Sequence, residues 1–378
     1  MNTSKGWLET KWGALATVEY GKSLRDYDEI PSERKPIRVF GTNGPIGWHS
    51  SPLCPSPGIV VGRKGAFRGI HFSPKPFFVI DTAFYLKPKV DFDIRWAYYQ
   101  LKDFDINRLD SGSAIPSTSR DAFYEIPVSL PPYPVQRSIA NILSAYDDLI
   151  ENCQQRIKIL EEMARSLYRE WFVHFRFSRR RSAKRVTSPL GFIPQGWEVK
   201  SLGEVATITM GLSPKGDTYN DEEDGTPLVN GPVEFGDRFA KRVKWTTAPT
   251  KFCKEGDLIV CVRGSTTGKY VKSDGVYCLG RGVCAISSSQ YQCFVDLLFA
   301  NELPTLLGQT SGSTFPSWTG PQLKSHPVLS PPAELLARFE TMVQPMSAAV
   351  LRHSRKIQNL RRTRDLLLPR LICGQVRV

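Results

Sequence analysis

Three short stretches carry residue types that could do chemistry. Leu130-Pro-Pro-Tyr133 is close to the Asn/Asp-Pro-Pro-Tyr loop with which amino-methyltransferases hold a base amino group, but a leucine offers that amino group no acceptor. Two hundred residues on, Ser330-Pro-Pro-Ala333 lacks the aromatic as well, and a Pro-Pro step opening a helix accounts for both copies. Gly264-Ser-Thr-Thr-Gly268-Lys269 looks like a phosphate loop, yet it is one residue short and has Tyr270 where a magnesium-binding hydroxyl belongs. Asp28 with Glu33-Arg-Lys35 echoes an Asp…Glu-x-Lys nuclease site compressed into a polar loop. The histidines (49, 71, 174, 326 and 353) neighbour no nucleophile motif. The eight cysteines (54, 153, 253, 261, 278, 284, 293 and 373) form no Cys-x-x-Cys and no zinc-finger spacing. The expectation is a chain without catalytic centre, metal or bound cofactor, its cysteines free and mostly buried.

Charge is the positive signal. The 378 residues carry a formal +13, and the surplus sits mainly in two segments, about +5 in 134–185 and about +6 in 333–378. That distribution suits a polyanionic partner, although solvated surface charge gives the same count. No run reaches the length of a membrane span, and the charged first thirty residues do not read as a signal peptide, so a cytoplasmic, membrane-free location is expected.

The elements that must position these residues follow from an internal repeat. At an offset of 200, Ser111-Gly112-Ser113, Pro116-Ser117, Pro127-Val128 and Pro131-Pro132 fall on Ser311-Gly312-Ser313, Pro316-Ser317, Pro327-Val328 and Pro331-Pro332. Earlier in each half the offset is 190, matching Gly13, Ala16-Thr17, Gly21 and Ser23 to Gly203, Ala206-Thr207, Gly211 and Ser213. Each half predicts a globular unit followed by a helix, a period too long for a solenoid. Runs such as Gly58–Gly62, Phe77–Ile80 and Asp257–Val262, punctuated by Gly, Pro, Asn and Asp, predict α+β domains rich in antiparallel strands.

The helices are the clearest periodic feature. Ile139, Leu143, Tyr146, Ile150, Cys153, Ile157, Leu160, Ala164, Leu167 and Trp171 step by four and three. Thirty-three such residues predict a rod of about 50 Å. Phe339, Val343, Met346, Val350, His353, Ile357, Leu360, Arg364, Leu367 and Leu371 repeat the phase, but His353 and Arg364 interrupt the apolar seam and Pro345 predicts a kink. An apolar stripe left exposed would associate, so the two helices are expected to pack antiparallel on each other. The aromatic group Trp171, Phe172, Phe175 and Phe177 reads as a packed junction, and the basic run Arg179-Arg-Arg181, Lys184, Arg185 as a linker that can meet phosphate.

Two similar domains held by paired helices would act as a ruler, and twofold-related readers on one DNA face are spaced by about 34–36 Å or multiples of it. The same geometry serves a scaffold between two protein-binding modules. A self-sufficient DNA-modifying enzyme would need the motifs the chain lacks.

Assembled in order, the duplicated pattern resembles the specificity subunit of type I restriction-modification systems. The resemblance runs from about residue 10 to 375. It rests on Trp12-Gly-Ala-Leu-Ala16 and Leu202-Gly-Glu-Val-Ala206, Gly62-Arg-Lys-Gly65 and Val262-Arg-Gly-Ser265, the two Ser-Gly-Ser segments and the Pro-Pro helix entrances. The helix ends Arg165-Ser-Leu-Tyr-Arg-Glu-Trp-Phe172 and Arg364-Asp-Leu-Leu-Leu-Pro-Arg-Leu-Ile372 complete it. It implies an α+β protein with target recognition domains at 1–133 and 191–332, helical coiled-coil spacers at 134–177 and 333–375, a basic linker at 178–190 and pseudo-twofold symmetry. It further implies double-stranded DNA with a bipartite target as ligand, docking of two methyltransferase subunits, and restriction subunits in complexes that cleave. Adenine N6 methylation and S-adenosylmethionine then belong to the methyltransferase partner, ATP and magnesium to the restriction partner, and this chain is no enzyme. The family's helix entrances carry an acidic residue followed by Gln, where this chain has Val135-Gln136 and Glu334-Leu335.

Arg or Lys on Gly-rich turns can bond guanine O6/N7, and Asn or Gln can bond adenine, in the major groove. The candidates for DNA contact are Lys22, Arg25, Asn43, Arg63, Lys64, Arg68 and Arg120 in the first half. In the second they are Lys215, Asn230, Arg263, Ser265, Thr266, Lys269 and Arg281. The hydroxyls Ser111, Ser113, Ser311, Ser313 and Thr314 are candidates for phosphate. The turn at Gly62–Gly65 is taken as the first-half counterpart of the turn at Gly264–Lys269.

Overall fold

The computed structural model describes residues 6–109, 115–177, 184–310 and 316–378. Contacts divide the chain into two compact units, residues 1–153 with 356–378, and residues 154–355. Each contains one globular α+β part and one segment of each long helix.

In the first unit, strands Ala16–Tyr20, Ala83–Pro88, Gly58–Gly62 and Ile70–Ser73 form an antiparallel sheet in that spatial order. A three-stranded mixed sheet sets Ile37–Gly41 between Gly44–His49 and Phe77–Val79, the latter pair parallel. Gly58–Gly62 is buried on both faces, which is why it reads as a continuous apolar run rather than an alternating one. Phe40, Val60, Phe77 and Val79 fill one side. On the other, Trp12 stacks on Trp96 at 6.4 Å and donates its indole N–H to Gln100 Oε1 at 2.8 Å, satisfying a fully buried polar atom.

The second unit repeats this plan. Thr207–Met210, Val283–Ser287, Leu258–Cys261 and Tyr270–Lys272 make the antiparallel sheet, and Thr226–Val229 lies parallel to Tyr277–Leu279 in a five-stranded one. The closing strand pairs have the same register, Lys11↔Pro127 in one unit and Ser201↔Pro327 in the other. Both offsets found in the sequence are therefore structural.

The long helices are Tyr133–Tyr168, continued by a π-helical turn at Arg169–Val173, and Ala333–Ile372. In the first unit Ile139, Ala140 and Leu143 share a core with Leu368, Leu371 and Ile372. In the second, Tyr168 and Phe172 pack on Phe339 and Val343, with Phe172 and Phe339 ring centroids 4.8 Å apart. Low numbers on one helix meet high numbers on the other, so the segments run antiparallel within each unit. Ile139, Leu143, Ile150, Ile157, Phe339, Val343 and Ile357 are buried, and Tyr146, Leu160, Leu167, Met346, Val350, Leu360 and Leu367 are half-buried.

Two expectations about the second helix change. It is one uninterrupted helical run through Pro345 and Pro369, because a single lost N–H bond is outweighed by packing on either side. Arg364 does not merely interrupt the seam. Its guanidinium bonds Asp147 of the facing segment, and Tyr99 donates its hydroxyl to the same carboxylate at 2.5 Å.

The helix entrances make polar contacts although neither carries an acidic residue followed by Gln. Gln136 is buried, donates to Pro131 O at 2.8 Å and accepts from the Asp93 amide at 2.8 Å, at the start of helix Ile94–Asp103. At the equivalent of Gln136 the second copy has buried Leu336, and one turn later Glu340 accepts from the Cys293 and Phe294 amides at 3.0 and 3.3 Å. Residues 93 and 293 are repeat equivalents, so the same orphan amide is satisfied from positions four residues apart.

Trp171, Phe172, Phe175 and Phe177 are a packed junction, the last two against Trp197 at 5.1 and 5.9 Å. Arg179-Arg-Arg181 lies outside the described residues. Seven cysteines are buried and Cys373 is exposed, all with free thiols.

Candidate nucleic-acid interface

In the second unit the strand Leu258–Cys261 ends at Val262, whose amide donates to Gly282 O at 2.9 Å. That bond sets Arg263 beside the turn that carries Arg281, just ahead of strand Val283–Ser287. A cleft of about 460 Å³ opens there, lined by Ser213, Tyr219, Asn230, Arg263, Arg281 and Gly282. Three sequence candidates thus converge. Arg263 and Arg281 are exposed, and among the described residues neither forms an ion pair. The Arg281 amide donates to Ser213 Oγ at 3.1 Å, which fixes the backbone from which the guanidinium projects.

Asn230 fits because its neighbours have no side chains. A Cβ on Gly280 would fall 1.6 Å from Asn230 Oδ1, and one on Gly282 would fall 2.1 Å from Asn230 O. In the first unit the relation is inverted. Gly41 occupies the place of Asn230, and Ile80 and Thr82 stand where the glycines are; a Cβ on Gly41 would meet Ile80 Cδ1 and Thr82 Oγ1 at 3.5 and 3.6 Å. Matching backbone bonds establish the equivalence, Ile80 N–H to Phe40 O and Gly280 N–H to Val229 O.

Four amides of the turn Gly264–Lys269 are taken by carbonyls of the turn and its neighbours. Gly264 donates to Pro316 O, Thr267 to Gly264 O, Gly268 to Cys261 O and Lys269 to Thr266 O. A phosphate cradle needs those N–H groups free, so the loop is a structural turn that displays exposed Ser265 and Lys269 and half-buried Thr266. Lys215 is exposed on a separate short turn.

In the first unit Gly65 donates to Pro116 O, as Gly264 does to Pro316 O, and Thr118 N–H bonds Arg63 O as Trp318 N–H bonds Val262 O. The counterpart of Arg263 is therefore Lys64, not Arg63, a shift of one residue that the sequence alignment of the two turns missed. Lys64 is exposed. Arg63 instead lies over the Tyr20 ring at 4.7 Å and donates to Asp81 O at 3.0 Å. Arg120 covers the same ring at 4.2 Å and pairs with Glu19 at 3.4 Å. The second unit has Met210 and Gly320 at the positions of Tyr20 and Arg120, so this double cation–π contact is peculiar to the first.

Arg68 is only 4 % exposed and binds Asn107 through its backbone amide and Nη2, which withdraws it from the surface. Lys22, Arg25 and Asn43 are exposed, Asn43 in the two-residue turn between Ile37–Gly41 and Gly44–His49. Ser111, Ser113, Ser311, Ser313 and Thr314 lie outside the described residues. Sequence reasoning missed Tyr219, Ser213 and Asp81. The last could have been found, since the offset of 200 lays Asp81 on Arg281.

The second unit thus brings two exposed guanidiniums and an amide to one cleft. The model of the type I restriction modification DNA specificity domain matches residues 38–162 and again 194–335, and the chain belongs to that family. Among known proteins, the MjaIX type I restriction enzyme specificity subunit of Methanocaldococcus jannaschii is 26% identical over 401 residues, covering 98% of this chain and 87% of that one. The protein of that organism named for the MjaX specificity subunit is 26% identical over 267 residues, 69% of this chain but only 62% of that relative's length. A crystal structure of the type I restriction-modification S subunit from M. genitalium shares the fold, with a TM-score of 0.69 at 17% identity, covering 98% of this chain and 96% of the other.

Proposed function

We propose that this chain is the DNA-reading subunit of a type I restriction-modification complex, with target recognition domains at 1–133 and 191–332, each reading one half of a bipartite double-stranded site. The helices at 134–177 and 333–375 set the distance between the half-sites and dock two methyltransferase subunits. Adenine N6 methylation, with S-adenosylmethionine, is the partners' chemistry, and cleavage with ATP and magnesium that of a restriction subunit. This chain contributes no catalytic group. The observation that carries the reading is the double match to the DNA specificity domain. The cleft holding Asn230, Arg263 and Arg281 in the second copy supports it.

The test is to co-express the chain with a type I methylase and map methylated adenines by long-read sequencing. A split motif with modified adenine in both halves is the expected result. A stable complex that adds no methylation at any sequence would remove the reading.

A further inference from the structure

The structure assigns the choice of a guanine in the second domain's half-site to Arg263 and Arg281, and choice at the equivalent place in the first domain to Lys64 and Asp81. This inference rests on the DNA-reading function just proposed.

Backbone equivalence carries the assignment. Arg263 and Lys64 follow the same strand, each bridged to the serine of a Pro-Ser step, Ser317 and Ser117. Arg281 and Asp81 begin the same reverse connection, one residue before Gly282 and Thr82, whose carbonyls accept from Val262 and from Arg63 and Lys64. The same pair of positions therefore presents two guanidiniums in one domain and an ammonium with a carboxylate in the other. All four side chains are exposed, and among the described residues none forms an ion pair.

Position within the cleft separates base reading from phosphate contact. Lys215 and Lys269 are exposed but lie outside the cleft that holds Arg263 and Arg281. Arg263 and Arg281 share a concave surface with a hydroxyl, an amide and the Tyr219 ring. A guanidinium is all donor and matches guanine O6 and N7, whereas Asn230 offers donor and acceptor together and matches adenine. In the first domain the Asp81 carboxylate can only accept, which selects a cytosine amino group, and Lys64 can donate to the guanine paired with it. The side chain of Asn230 has no counterpart at Gly41. The two domains consequently call for different half-sites.

The experiment uses the full chain in complex with its methylase and reads the methylated motif of each variant. Arg281→Ala should leave one half-site intact and make a single G·C position of the other degenerate, with discrimination there falling about tenfold or more. Arg281→Gln, which replaces the all-donor head by a shorter side chain offering donor and acceptor together, should turn that position toward A·T. Asp81→Ala should relax one position of the opposite half-site. An unchanged motif in Arg281→Ala and Arg281→Gln, or a loss spread evenly over every position, overturns the assignment while the wild-type split motif preserves the parent reading. A wild-type complex without a split motif overturns both.

Discussion

Asp147 takes both the Arg364 guanidinium and the Tyr99 hydroxyl, so one carboxylate ties the two helix segments and the globular part of the first unit together. Arg364 is 13 % exposed and Asp147 30 %. Removing Arg364 leaves a largely covered carboxylate with a single neutral donor. Arg364→Ala should cost about 2 kcal/mol, discounted for partial exposure. A melting curve should show it as a loss of roughly 4–8 °C. Replacing both partners by leucine should recover most of that, since an apolar pair continues the seam. Strictly additive single effects in the double-mutant cycle would refute the coupling.

Acid should weaken the first unit through His71. Burial holds its imidazole below the ordinary value of 6.5, with Lys102 adding to the effect. The unfolded chain binds the proton more readily than the folded one, so the His71 contribution is complete above about pH 6.5 and is lost as pH falls toward its folded value. His71→Phe should flatten stability between pH 6.5 and 5, measured by urea unfolding. A slope identical to wild type would exclude His71 as its source.

Thiol chemistry should find one cysteine. Cys373 is exposed, while burial pushes Cys54 and Cys284 up to about 12 and Cys253 and Cys261 up to about 11. A chromogenic disulfide reagent should count about one fast equivalent in the native protein and eight after denaturation. Three or more fast equivalents would contradict the packing described.

Gly211 packs against the connection that carries Arg281. Its amide donates to Val283 O at 3.0 Å, and a Cβ there would lie 2.1 Å from Gly280 O. Gly211→Ala should destabilise the second unit by about 1–3 kcal/mol and displace the connection bearing Arg281. Gly216→Ala, with open space around it, should be neutral. Equal melting temperatures for the two variants would count against the close approach.

Much of this was legible in the sequence, and the misses have physical causes. A helix seam advertises itself through spacing, because burial of every third or fourth side chain is a local property. The repeat was visible for the same reason, through Pro, Gly and Ser at turns that tolerate little else. Arg63 and Arg68 misled because charge says nothing about direction: one lies against Tyr20 and the other turns inward to Asn107. Pairing of Arg364 with Asp147 joins residues far apart in the chain, so no local pattern could announce it. Gln136 and Glu340 meet the same need from successive turns, and position-by-position alignment of the halves hides that.

Bulk is exchanged between the two units at one place: Gly41 faces Ile80 and Thr82, where Asn230 faces Gly280 and Gly282. A Cβ on Gly41 would meet Ile80 Cδ1 and Thr82 Oγ1 at ordinary contact distances of 3.5 and 3.6 Å, whereas one on Gly280 or Gly282 would overlap Asn230 at 1.6 and 2.1 Å. Grafting the two glycines alone into the first unit would hollow the sheet edge. In the second unit a side chain at 280 fits only if Asn230 gives way, so the strand and the distant connection it leans on must change together.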